Sequence, residues 1–162
     1  WDRDRTEWSW THGQVEMATL YLDPNAFLGE HLTEAVAAGS TDAAAAAIGH
    51  VHLSVGDVAT ARAFYVDALG FDATASLGDQ ALFVSAGGYH HHMAMNVWNS
   101  RGAGPRMPAL GLGRVDLELP DADGLGALTE RLRHHGIEVR DDGRTVGFRD
   151  PWHNELLATA AA

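Results

Sequence analysis

Residues 48–55, Ile-Gly-His-Val-His-Leu-Ser-Val, return at residues 112–119 as Leu-Gly-Arg-Val-Asp-Leu-Glu-Leu, an offset of 64 positions in a chain of 162. A recurrence at fixed distance marks a duplicated unit that buries its apolar face against its copy. In both runs apolar and polar residues alternate, the pattern of a strand with one buried and one polar face. After the first run, Asp57 caps a helix whose Val58, Ala61, Phe64, Tyr65, Ala68 and Leu69 recur at three-four spacing, and Gly70 ends it. Strands expected at 71–76, 80–86 and 90–98 complete the order β-α-β-β-β. The second copy runs from a strand at 114–119 to a helix capped by Asp121 or Asp123, with Leu125, Leu128 and Leu132 on one face and Gly136 at its end. Strands at 137–139, 144–148 and 154–158 follow, with Asp150-Pro151 as a turn. A sheet with one helix leaves its other face bare, so the two units are expected to pair. The predicted fold is α+β: paired β-α-β-β-β modules forming a curved eight-stranded mixed sheet around a cleft, helices outside.

The repeat units span residues 47–100 and 110–162, within a domain of residues 47–162. Residues 1–46 read as a linker segment with one short helix, which Asp23-Pro24 starts and along which Phe27, Leu28 and Leu32 are spaced. Residues 35–47 are dominated by alanine, as in a connector. The chain opens on Trp1 rather than Met, which suggests a fragment of a longer protein. The apolar side chains of Trp1, Trp8, Trp10 and Met17 suggest a surface that meets a missing N-terminal module or a second copy in a homodimer.

A net charge of -11 repels phosphate backbones and anionic membranes, which argues against nucleic acid and membrane partners. No apolar run approaches the roughly 20 residues that span a bilayer, and no secretory signal opens the chain, so a cytoplasmic location is expected. The absence of cysteine leaves histidines and carboxylates as the available metal ligands. Gly111-Leu112-Gly113 lacks the remainder of a dinucleotide fingerprint. His134 and His135 close a helix and suit the negative end of its dipole.

Gly49-His50-Val51-His52-Leu53, Phe64-Tyr65, Leu69-Gly70-Phe71, Gly88-Tyr89-His90-His91-His92, Asn96-Val97-Trp98-Asn99 and Asp150-Pro151-Trp152-His153-Asn154 together resemble the vicinal oxygen chelate superfamily. That superfamily holds glyoxalase I, bleomycin-resistance proteins and type I extradiol dioxygenases. The Gly-Tyr-His-His-His run and the opening tryptophan-rich segment are similar to the C-terminal half of a catechol-2,3-dioxygenase-like protein. The resemblance implies a metal-dependent ring-cleaving dioxygenase or a glyoxalase-like lyase or isomerase as the parent enzyme. It also implies a divalent metal, Fe2+ or Mn2+ ahead of Zn2+ or Ni2+, and a small aromatic or dicarbonyl-type molecule as partner.

In the superfamily the ligands lie on the first and last strand of each unit. Carried over residue by residue, the pattern gives His50, Met93, Arg114 and Leu157, of which only His50 is an ordinary ligand. Alternation along 90–98 favours His92 over Met93 as the cleft-facing residue, and Glu155 lies one pleat from Leu157. The candidate metal set is therefore His50, His92 and Glu155, with His52 as a catalytic acid or base and Asn96, Trp98 and Arg114 as substrate contacts. The degenerate ligand pattern favours an alternative, a metal-free small-molecule binding or structural half without catalysis of its own.

Overall fold

The computed structural model describes residues 5–18, 20–32, 34, 38–39 and 48–161. Near the N-terminus β1 (Trp10–Thr11) and β2 (Gln14–Val15) form a short antiparallel ladder. The Asp23 carboxylate accepts from the amides of Asn25 and Ala26 and starts α1 (Pro24–His31), which buries none of its residues. The boundary expected at residue 46, and most of the alanine-rich run before it, lie outside the described residues.

The first unit comprises β3 (Val51–Ser54), α2 (Val58–Arg62), β4 (Asp72–Ser76), β5 (Ala81–Ser85) and β6 (Met93–Asn96). A π-helical stretch, Ala63–Ala68, continues α2. The second unit comprises β7 (Val115–Leu119), α3 (Ala122–His134), β8 (Val139–Asp141), β9 (Thr145–Arg149) and β10 (Glu155–Ala160). Each forms a four-stranded sheet of the same order, β3-β6-β5-β4 and β7-β10-β9-β8, with one parallel pair and two antiparallel ones. The α+β fold of paired modules read from the repeat is the fold observed, its eight strands divided between two hydrogen-bonded sheets. The Asp57 carboxylate accepts from the Thr60 amide at 2.7 Å and that of Asp121 from the Gly124 amide at 2.8 Å, so both helices start at corresponding positions.

Two strands start more than one residue later than expected. The second strand of the second unit, β8, begins at Val139 because the Ile137 amide still bonds the Leu132 carbonyl and closes the helix. In the first unit β6 begins only at Met93, since Gly87 and Gly88, at φ of 66° and 70°, lead residues 90–92 through a turn rather than a strand.

The helix-facing sides of both sheets share one core. Leu53, Tyr65, Leu82, Met93 and Met95 from the first unit pack in the same cluster as Leu125, Leu132, Val146, Phe148 and Leu156 from the second. Phe64 meets Phe148 with ring centroids 6.3 Å apart. Arg131 of α3 donates to the carbonyls of Ala68 and Leu69 at 3.0 and 2.6 Å, satisfying the end of the helix opposite. The Tyr65 hydroxyl donates to the buried Asp150 carboxylate at 2.9 Å, and that carboxylate also accepts from the amides of Trp152 and Asn154 and from the Asn154 side chain. Burial, and then the Asp150 charge, push the Tyr65 phenol well above its ordinary value of 10.0.

Strand register refines the repeat. Val51 pairs with Met93 and Val115 with Leu156, so the offset is 64 on the first strands but 63 on the last. Met93 therefore corresponds to Leu156, both in the core, while Ala94 corresponds to Leu157 and His92 to Glu155.

Candidate metal centre and adjoining cavity

On the face of the first sheet turned away from the helices, His50 and His52 stand one pleat apart at the start of β3, with ring centroids 5.2 Å apart. The turn before β6 brings His91 beside them, its ring 4.3 Å from that of His50 and 5.9 Å from that of His52. One nitrogen from each of the three rings lies within 4.8 Å of the others. Phe83 lies under this group, 5.1 Å from the His91 ring and 6.2 Å from that of His52. The segment at the N-terminus covers part of the same face: Val15 packs with Ala75, Ala81, Phe83 and Ala94, and Trp8 joins them. Arg5 ties the segment down by donating to the Gly87 and Gly88 carbonyls at 2.9 and 3.0 Å.

The donor set suits a borderline divalent cation, because neutral imidazole is its common ligand and three nitrogens leave open coordination positions. Partial burial, and then the neighbouring His50, lower the pKa of His52, which keeps its ring neutral near pH 7 with a lone pair to offer. The family-pattern positions do not assemble such a set. Arg114 is a cation bonded to Asp116 at 2.7 Å, and Leu157 is inert. The last-strand position of the first unit, given by register as Ala94, has no ligand atom, and Met93 is buried in the core.

His92 turns the other way from its neighbour. Its Nδ1 lies 3.0 Å from the Ser85 hydroxyl and accepts from the Ala86 amide at 3.3 Å, while its ring stacks on Tyr89 at 4.6 Å. Glu155, its counterpart, sits between Arg140 and Arg149, accepting from the Arg149 Nε at 2.6 Å. Neither belongs to the histidine group. His50 and His52 do, and His91 replaces the expected His92. His91 comes from the seven-residue turn between β5 and β6, against five residues between β9 and β10, and the added length lets the chain reach across the sheet.

Of the expected substrate contacts, Asn96 ends β6 and is buried, whereas Trp98 is exposed with its ring 6.2 Å from that of His52. Arg114 lies elsewhere, at the entry to β7. A cavity of about 500 Å³ links the two regions, since its walls include His52 and Ser54 from β3 and Arg114, Arg149 and Glu155 from the second unit. Residues 106–113, between the units, form its remaining side.

A repeated β-α-β-β-β unit with its open faces around a hollow defines a class, and the sequence agrees. The chain belongs to the Glyoxalase/Bleomycin resistance protein/Dioxygenase superfamily, whose family model matches residues 47–157. It is 37% identical over 153 residues to a catechol-2,3-dioxygenase of Bacillus subtilis (strain 168), covering 93% of this chain and 50% of that protein. The chain thus spans half the length of that relative. Among solved structures, a glyoxylase/bleomycin resistance protein/dioxygenase domain from Frankia sp. EAN1pec aligns with a TM-score of 0.60 at 21% identity, over 72% of this chain and 98% of that one. A lactoylglutathione lyase from Agrobacterium tumefaciens aligns at 0.54 and 24% identity, over 72% and 94%. These likenesses establish the fold. No helix among the described residues is long and apolar enough to cross a membrane.

Proposed function

We propose that this chain is one half of a dioxygenase-like protein and that His50, His52 and His91 hold a divalent metal ion on the open face of its first sheet. The observation that carries the reading is the convergence of the three ligand nitrogens within 4.8 Å on a partly buried surface. Bound there, Fe2+, Mn2+, Zn2+ or Ni2+ supplies Lewis-acid polarisation of an oxygen-bearing substrate. The protein's part is positional. His52 borders both the histidine group and the cavity of about 500 Å³, so a small aromatic or dicarbonyl molecule in that cavity lies against the ligand set. Trp98 lies beside His52, and Phe83 forms an apolar floor beneath His52 and His91. With His52 committed as a ligand, the parent enzyme takes its acid or base from another group. The reading extends to a cytoplasmic protein completed by an N-terminal half or a second copy, with the domain beginning near residue 47.

Metal content of the purified 162-residue chain tests this directly. After incubation with each ion and removal of the excess, one ion per chain is expected in the parent and in His92→Ala, and none in His91→Ala. Metal kept by His91→Ala, or lost equally from His92→Ala, defeats the assignment. A second reading, a metal-free binding or structural half, is favoured by Arg114 and Leu157 standing where the family pattern calls for ligands. A parent chain that retains no ion supports it.

A further inference from the structure

The cavity between the units has an unusual charge for this protein. The whole chain carries 22 acidic residues against 11 basic ones, yet among the described residues the cavity is lined by Arg106, Arg114 and Arg149 with Glu155 as the one acidic residue. Glu155 is already shared between Arg149 and Arg140, so its charge is compensated on the spot. Arg114 gives its Nε to Asp116 and Arg149 its Nε to Glu155. Among the described residues these bonds leave the Nη groups of both guanidiniums unengaged at the wall of the cavity. Guanidiniums anchored through Nε are oriented donors, and a carboxylate matches their planar pair of N–H groups. The long-range field of an acidic chain opposes anion capture, so attraction here must come from local hydrogen bonding to oriented guanidiniums.

From these guanidiniums we infer that the cavity is a carboxylate-binding site, in which Arg114 and Arg149 hold the acid group of a small aromatic molecule whose ring extends toward His52. Arg114 then has a role that its position in the repeat explains. Where the first unit offers the imidazole of His50, the second offers a fixed cation, and one end of the cleft recognises charge while the other presents ligands. The aromatic body follows from the cavity's size and from the His52 ring in its wall. This deepens the proposed function by naming a substrate class and rests on it for the choice of a small aromatic ligand. The arginine site itself requires no metal.

Titration calorimetry on chelator-treated, metal-free chain keeps the two proposals apart. The probes are benzoate, benzyl alcohol as its uncharged analogue, and inorganic phosphate. Benzoate is expected to bind at least about tenfold more tightly than benzyl alcohol, the factor expected for hydrogen bonds to a charged group. Arg114→Gln and Arg149→Gln should each weaken benzoate by roughly tenfold, while Arg144→Gln, away from the cavity, leaves it unchanged. Two arginine variants are used because Arg149 also bonds Glu155, and a circular dichroism melt reports whether either has lost its fold. No benzoate binding, equal binding of benzoate and benzyl alcohol, or undiminished binding in folded Arg114→Gln overturns the inference. Phosphate binding as tight as benzoate overturns the carboxylate class. Failure of the metal assay with success here removes only the histidine site, and the reverse removes only this one.

Discussion

The two units share a frame and differ on the face that the frame leaves open. Facing the helices, Leu53, Leu82, Val84 and Met93 of the first correspond by register to Leu117, Val146, Phe148 and Leu156 of the second, apolar at every position. On the opposite face the same comparison sets Phe83 against Gly147, Ala94 against Leu157, His92 against Glu155 and Ser85 against Arg149. The first face carries imidazoles on a small apolar floor and is partly covered by Trp8 and Val15. The second carries ion pairs, Arg114 with Asp116 and Glu155 with two arginines. A shared core constrains both copies at once, because any change in volume is felt from both sides. An open face bears no such constraint, and there the copies have taken different chemistry.

The same asymmetry governs how the units are joined, and the largest predicted effect breaks it. Asp150 follows β9 and gathers four hydrogen bonds, among them the one from Tyr65 of the other unit. The residue that follows β5 is Ala86, which is exposed. Asp150→Ala leaves Tyr65 and the Trp152 and Asn154 donors without their acceptor and is expected to cost about 3–5 kcal/mol, as loss of one partner in a buried polar network does. Urea unfolding measures it. Ala86→Asp is expected to fall within about 0.5 kcal/mol of the parent. Comparable losses from both would mean that the Asp150 network does not join the units. A smaller effect is expected at Arg131, which is half-buried and donates to the Ala68 and Leu69 carbonyls. Arg131→Met keeps the aliphatic packing and should cost about 1–2 kcal/mol by leaving those carbonyls unsatisfied. A loss close to zero would assign that contact to surface decoration.

How far the sequence was legible follows the same division. Alternation in residues 51–55 and 115–119, the caps Asp57 and Asp121 and the three-four spacing through Tyr65 and Leu132 each report a local rule, and the architecture follows from them. His50 and His52 were legible as a pair on one strand face for the same reason. His91 was not, because its place depends on how the turn from Ala86 to His92 crosses the sheet, and no periodicity encodes a turn's path. Alternation favours His92 only when it is extended through residues that form no strand. The correspondence of Met93 with Leu157 followed from a constant offset of 64, which the register shows dropping by one after a longer turn in one copy and a longer helix in the other. The sequence offers Glu155 as a metal ligand because the arginines on either side of it come from β8 and β9 and meet it only through strand pairing.

The finest test of the comparison concerns a hydroxyl at matching helix positions. Counted from their caps, Tyr65 corresponds to Thr129; both are buried, but Thr129 returns its hydroxyl to the Leu125 carbonyl in its own helix at 2.8 Å, whereas Tyr65 reaches across to Asp150. Tyr65→Phe removes one of four donors to Asp150 and is expected to cost about 1 kcal/mol near neutral pH. The alkaline range gives the sharper readout. The phenol's pKa is raised in the folded state, so above about pH 10 the unfolded chain sheds a proton that the native chain keeps, and stability falls as pH rises further. Tyr65→Phe abolishes that contribution. Unfolding followed at pH 8 and again near pH 11 should therefore show the parent losing more stability than the variant, with the two curves approaching one another at the higher pH. Parallel losses in both proteins would show that the phenol ionises as readily in the fold as outside it. The bond between the units would then be an ordinary exposed one, and the distinction between a hydroxyl turned inward on its own helix and one spent on joining the copies would fail.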